Sequence, residues 1–261
     1  MSNGALAAIV VTLLICFGFP IALWVWLHKS AKRDGLSVAK AVLTGALGFF
    51  VPQLVIRATL LMLFGEKLYS AMGESMALYG LFLALTAGLF ETAGRLLVFK
   101  FLLPKQYAWK TGLAAGIGHG GCESMLLIGM TYVNNLMIAM ILRSGDASAL
   151  APEVRDVMLA VPPTDFLAAG VERLSTICFH VALSVLLLWF LRGGRTWAGF
   201  GAVTLLHTAV DYGAIMMQQA GGSVWMIEGA LLAVAAVSVW FALSSKRLFG
   251  PGAAPTAAHT I

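Results

Sequence analysis

Long apolar blocks joined by short polar segments make up the whole chain. Seven of these blocks reach the ~20 residues that a helix, rising 1.5 Å per residue, needs to cross a hydrocarbon core. They predict helices at about 5–27, 38–64, 76–100, 111–142, 164–192, 197–218 and 223–244. The short alternating segments of a β-barrel are absent. The pattern therefore predicts an all-α fold, a polytopic bundle of seven transmembrane helices. The first block lacks a basic leader and is too long for the core of a signal peptide, so it is expected to stay as a helix. Pro20 and Pro52 are expected to kink the first two helices. One transmembrane domain is expected over 1–249, followed by a Gly-, Pro- and Ala-rich tail at 250–261 that reads as disordered. In the longest joint, 143–163, the stretch from Pro152 to Val161 reads as a short helix lying on the membrane surface.

Composition agrees with the blocks. Hydrophobic residues make up 60% of the 261 and charged residues only 11%, against roughly 25% charged in a soluble domain. The net charge of +5 does not indicate a nucleic-acid partner, because the basic residues sit at block ends rather than on one face with interleaved aromatics. Lys29, Lys32, Arg33 and Lys40, then Lys100, Lys105 and Lys110, then Arg192 and Arg195, and finally Lys246 and Arg247 occupy alternate joints. The other side holds Lys67, Arg143 and Arg155. This asymmetry puts the N-terminus outside and the C-terminus in the cytoplasm, as for a protein of the plasma (inner) membrane of a bacterium. The lipid bilayer is its first expected partner. Cys16, Cys122 and Cys178 all lie in apolar blocks and are expected to be free thiols.

Ionisable residues within the blocks change the picture, since a charge at mid-membrane costs at least ~2.5–3.5 kcal/mol. The third helix carries Glu91-Thr-Ala-Gly-Arg95, and the fourth carries Gly118-His119-Gly-Gly-Cys-Glu123. The fifth carries Glu172-Arg173 and His180, and the sixth His207-Thr-Ala-Val-Asp211. Glu91 with Arg95, His119 with Glu123 and His207 with Asp211 are i,i+4 pairs, each on one helix face. Measured from the cytoplasmic helix ends at 1.5 Å per residue, Glu91 and His119 lie ~14 Å deep and His180 and His207 ~18 Å deep. One glutamate and three histidines from four consecutive helices thus share one layer. Arg57, Glu172, Arg173 and Glu228 form a second group nearer the outer face, read as interfacial ion pairs. Gly112, Gly116 and Gly120 make a small-residue stripe that permits close helix approach. Gly118 and Gly121 add bare backbone that a bound peptide can approach.

A carboxylate and several imidazoles in a wet pocket can activate water. His119, His180 and His207 with Glu91 can also hold zinc with a position open for water, although no His-Glu-x-x-His spacing requires it. At these residues the sequence resembles the YhfC-like branch of the CPBP superfamily, through Glu-x3-Arg, Gly-His-Gly-Gly-x-Glu, a later helix His, and His-x3-Asp. That superfamily includes the type II CAAX prenyl endopeptidases and the PrsW proteases, described as glutamic-type or metallo intramembrane proteases. The resemblance covers about 76–218, the expected catalytic core. It implies an intramembrane endopeptidase acting on a membrane-embedded or lipid-modified peptide. By the same resemblance, Glu91 activates the water with Arg95 as its structural partner, and His119 matches the second motif's histidine. His207 and Asp211 bind or assist the oxyanion, and His180 is an additional polar member. Phe90 stands where many relatives carry the first glutamate of a pair, and Ala115 where a phenylalanine is usual. Glu123 is therefore the alternative base.

Two other classes stay open on sequence. One is a non-catalytic scaffold of the same fold, like the scaffold subunit of γ-secretase, which would bind other helices through the glycine stripe. The other is a proton- or metal-coupled transporter using the histidine layer. The topology is testable directly: reporter fusions at positions 35, 105 and 194 should all read cytoplasmic. An external signal at any of the three overturns the orientation.

Overall fold

The structure is a computed structural model that describes residues 1–31, 36–145 and 147–250. Lys32 and Arg33 of the first basic joint, and the tail from Pro251 onward with His259, lie outside the described residues. Among the described residues there is no strand, and seven helices are long and apolar enough to cross a membrane. These are α1 (Asn3–Ala31), α2 (Val38–Ala71), α3 (Met76–Leu102), α4 (Trp109–Ser144), α6 (Pro163–Arg192), α7 (Thr196–Gln219) and α8 (Val224–Phe249). The short helix expected in the longest joint is α5 (Pro152–Ala160), with Met158 buried and Val157 exposed.

Local sequence sets the helix ends. Ser37, Ser75 and Ser223 precede α2, α3 and α8, and each side chain accepts a hydrogen bond from the backbone N–H three residues on. These bonds satisfy donors that a helix start leaves without partners. Gly145 ends α4 in the left-handed region at φ 86°, where a glycine carries no steric penalty. α2 runs seven residues beyond its expected end at 64. The apolar run stops before Glu66 and Lys67, but the helix continues as a polar extension until the turn at Gly73 and Glu74, both at positive φ.

Three spans contain π-helical segments: Phe50–Arg57 in α2, Val98–Leu102 in α3 and Ser124–Gly129 in α4. The first contains Pro52, which has no N–H to donate, so the expected disturbance of α2 takes this form. α1 passes through Pro20 as one continuous helix.

α4 is the axis of the bundle. Residues Thr111 to Gly121 are buried without interruption, so this half of the helix touches protein on every side. Only small residues let neighbouring backbones come so close. A Cβ added at Gly116 would stand 2.5 Å from Val181 Cα of α6. One added at Gly118 would stand 1.9 Å from the Val42 carbonyl oxygen of α2. One added at Gly121 would meet Pro20 of α1 at 2.8 Å. The stripe Gly112, Gly116 and Gly120 is thus filled by α6 of the same chain, and Gly118 and Gly121 by α2 and α1. This corrects the expectation that the last two lie open to a bound peptide, and it leaves the stripe unavailable to a foreign helix. α3 packs against α7, where Gly88 faces the Thr204 carbonyl, and against α2, where Gly94 faces the Gly48 carbonyl. Large apolar side chains such as Leu14, Leu43, Met62 and Trp240 point outward, where lipid covers them. All three cysteines are free, as expected.

Adding one methyl group at these contacts should matter only where space is missing. Gly118→Ala should lower stability by about 1–3 kcal/mol through overpacking. Gly213→Ala, which meets nothing within 4 Å, should not lower it. Thermal unfolding of the two variants in the same detergent reads the difference. Equal melting temperatures would contradict the close α4–α2 contact.

Candidate functional site

The site forms where α3, α4, α6 and α7 face one another. Glu91 sits on α3, one turn before Arg95, and both are buried at 3% and 2% exposure. The Glu91 oxygen Oε2 is the meeting point. His119 Nε2 on α4 lies 3.0 Å from it and His207 Nε2 on α7 lies 2.9 Å from it. Arg95 Nη2 stands 3.6 Å away and His180 Nδ1 on α6 stands 3.8 Å away. Four helices therefore deliver nitrogen to one carboxylate oxygen. The rings pack together: His180 lies with its centroid 5.3 Å from those of both His119 and His207. Phe49 of α2 closes the side by meeting the His119 ring edge-on at 5.3 Å.

A second circle of polar groups holds the first. Arg95 donates to Ser184 Oγ at 3.3 Å and to His180 Nδ1 at 2.6 Å, tying α3 to α6. A guanidinium only donates, so His180 Nδ1 accepts and the ring proton sits on Nε2. That nitrogen is 2.5 Å from Glu123 Oε2. Arg173 in turn donates to Glu123 Oε1 at 2.9 Å and also pairs with Glu172. His207 Nδ1 lies 3.1 Å from Asp211 Oδ2, off the line of a hydrogen bond. His119 Nδ1 is buried and has no hydrogen-bond partner among the described residues.

All seven residues named from the sequence, Glu91, Arg95, His119, Glu123, His180, His207 and Asp211, thus lie in one connected cluster. The expected pairs Glu91–Arg95 and His207–Asp211 are present. His119 and Glu123 do not pair. They share a helix face, but α3 and α6 bring closer partners, Glu91 for His119 and His180 with Arg173 for Glu123. Of the outer group, the expected Arg173–Glu172 ion pair is present, but its two arginines differ in role. Arg173 belongs to the second circle of the site. Arg57 donates to the Leu83 carbonyl at 2.7 Å and to Thr86 Oγ1 at 3.0 Å, rather than to an acid.

A cavity of about 340 Å³ opens beside the cluster. Glu91, His180, His207, Asp211 and Glu123 line it, together with Gln53 and Arg57 from the π segment of α2. Gln53 was not singled out from the sequence. Its signal was Pro52, whose missing donor reshapes the helix at that point.

The donor set also fits a metal ion. Glu91, His119 and His180 each offer a ligand atom, all within 4.8 Å of one another. Mixed nitrogen and oxygen triads with one open position are typical of hydrolytic zinc centres. Glu123 behind His180 matches the carboxylate that commonly backs a ligating imidazole. His207 lies outside that triad, although its Nε2 faces the same oxygen. For His180 to offer Nδ1, the Arg95 guanidinium has to move aside.

A protein-family model described as YhfC intramembrane metalloprotease matches residues 11–231, a range that includes the whole cluster. The chain is 30% identical over 254 residues to a Bacillus subtilis (strain 168) protein described as uncharacterized membrane protein YhfC. The match covers 90% of this chain and 94% of that protein. No solved structure matches.

Burial separates two kinds of ion pair here. Removing one partner of a buried pair leaves the other charge uncompensated and costs about 3–5 kcal/mol. Arg173→Ala, at the nearly buried Glu123 pair, should therefore lower the melting temperature in detergent markedly. Arg155→Ala, whose pair with Asp156 is 42% and 67% exposed, should change it little, since such pairs give about 0–1 kcal/mol. Equal effects would contradict the placement of Arg173 in the second circle.

Proposed function

The chain belongs to the YhfC intramembrane metalloprotease family, and on that premise we propose that it hydrolyses a peptide bond of a membrane-embedded or lipid-modified substrate at the Glu91 cluster. The observation that carries this reading is the meeting of His119 Nε2 and His207 Nε2 on one buried Glu91 oxygen, beside a cavity that ionisable side chains line among apolar helices. Buried ionisable groups in a membrane core are costly. Their concentration around a cavity is better explained by chemistry on a bound substrate than by packing.

The roles follow from position. Water in the cavity loses a proton to Glu91, the carboxylate that His119 and His207 hold in place. Once Glu91 has taken the proton its hold on His207 Nε2 weakens, and that nitrogen, on a ring whose Nδ1 faces Asp211, is set to stabilise the developing oxyanion. Asp211 orients that ring. His180 is fixed by Arg95 on one side and Glu123 on the other, and it forms the wall of the site. We place the N-terminus outside and the C-terminus in the cytoplasm on the alternation of basic joints, and the protein in the plasma membrane of a bacterium, in keeping with its Bacillus subtilis relative.

A second reading rests on the spacing of Glu91, His119 and His180. A divalent ion held by these three would polarise the scissile carbonyl and make water more acidic. Glu91 would then be a ligand, and Glu123, which lines the same cavity, would be the group placed to accept the proton.

Purified protein incubated with a library of membrane peptides, with and without a chelator, tests both readings. Cleavage abolished by Glu91→Gln and by His119→Ala is expected in either case. Loss of cleavage on chelation, together with its loss in Glu123→Gln, selects the metal reading. Retention of cleavage in Glu91→Gln and Glu123→Gln alike would remove the protease assignment from this cluster. Within the cluster, His207→Ala should cost about 10²–10³ in turnover. Asp211→Asn should cost less, about 10–100-fold. The double variant should be little worse than His207→Ala alone, because Asp211 acts through that ring. Additive losses per folded molecule would show that Asp211 acts elsewhere.

A further inference from the structure

A second cavity, of about 820 Å³, lies at the opposite end of the bundle and shares no lining residue with the cavity at Glu91. It forms between the start of α2, the turn joining α3 to α4, and the ends of α6 and α8. Four basic residues line it, Lys105, Lys110, Arg192 and Lys246, and among the described residues lining it there is no acid. Two of these cations are anchored: Lys110 donates to the Ser30 carbonyl at 2.7 Å, and Arg192 to the Phe249 carbonyl at 2.9 Å. Lys105 and Lys246 are exposed. Lys246 Nζ stands 5.8 Å over the Trp109 ring, whose Nε1 donates to the Ala242 carbonyl at 2.7 Å.

The N-terminus of α4 enters the same cavity. Ala108 precedes it and gives no side-chain cap, and the exposed amides of a first helical turn favour an anion. Thr111, two residues into α4, also lines the cavity. It is 0% exposed, yet its hydroxyl has no hydrogen-bond partner among the described residues. A buried hydroxyl without a partner costs free energy unless a ligand supplies one.

We propose that this cavity binds a phosphoryl group, with Lys105 and Lys246 as its exposed charges and the start of α4 with the Thr111 hydroxyl as its floor. Like charges gathered around one cavity repel until an anion sits among them. The cavity lies at the ends of the spanning helices, and basic pockets between helices at such ends bind anionic headgroups. A phosphatidylglycerol headgroup and free phosphate share the chemistry that the cavity recognises. The inference is independent of the reaction assigned to the Glu91 cluster.

Native mass spectrometry of the full chain in neutral detergent tests this, with dioleoylphosphatidylglycerol, dioleoylphosphatidylcholine and inorganic phosphate as separate probes. The expected result is retention of phosphatidylglycerol over phosphatidylcholine. Lys105→Gln with Lys246→Gln should weaken that retention by about 30-fold. Lys29→Gln with Lys40→Gln removes the same charge from the same side outside the cavity and should leave binding unchanged. Thr111→Val, which keeps the shape, should weaken binding in a chain that melts normally. Inorganic phosphate bound with the same residue dependence, without a lipid preference, supports the phosphoryl site and makes free phosphate the source. Phosphatidylglycerol retention that falls equally in both double variants would reduce the effect to general surface charge and overturn the proposal. So would the absence of any probe dependent on Lys105 and Lys246.

Discussion

A single carboxylate oxygen in the middle of an apolar bundle sets the requirements for everything around it. An ionised Glu91 stripped of water would cost several kcal/mol. The cost is offset by nitrogen from three other helices and by Arg95 on its own. Each of those donors needs a partner in turn. Glu123 faces His180, Asp211 faces His207 and Ser184 accepts from Arg95, whereas His119 Nδ1 has no hydrogen-bond partner among the described residues; Arg173 compensates Glu123. Charge balance thus spreads outward in circles until it reaches Glu172 and Asp211, each about one-third exposed.

The backbone serves this convergence. Imidazoles from α4, α6 and α7 can reach one oxygen only if the helices lie closer than side chains normally permit. The glycines of α4 and Gly88 of α3 provide that closeness, and a Cβ at several of them would overlap a neighbouring backbone. The π segment at Pro52 then turns Gln53 and Arg57 toward the cavity. Such segments occur often at functional sites because they re-aim side chains without ending a helix.

Much of this was legible in the sequence, for a physical reason. A helix converts residue count into depth at a fixed 1.5 Å per residue, so Glu91, His119, His180 and His207 could be assigned one layer without knowing how the helices pack. The apolar blocks likewise marked seven spans to within a few residues at most ends. What stayed hidden depends on neighbours. An i,i+4 spacing says that His119 and Glu123 share a face, but not that Glu91 and His180 stand nearer to each than they do to one another. Arg57 and Arg173 looked alike as intramembrane cations. Yet one caps a carbonyl of α3 and the other holds the second circle of the site, and only the helix arrangement separates them. Gln53 was invisible because its role follows from a local change of helix type.

The central claim is that Glu91 and His119 act directly on each other inside the bundle, as the hub on which the site is assembled. A double-mutant cycle of unfolding free energy, with Glu91→Gln, His119→Ala and both together, measures that contact without a substrate or a metal. Residues in direct buried contact are predicted to couple by about 0.5–3 kcal/mol. Effects that add to within about 0.3–0.5 kcal/mol, as for distant and independent sites, would contradict the account.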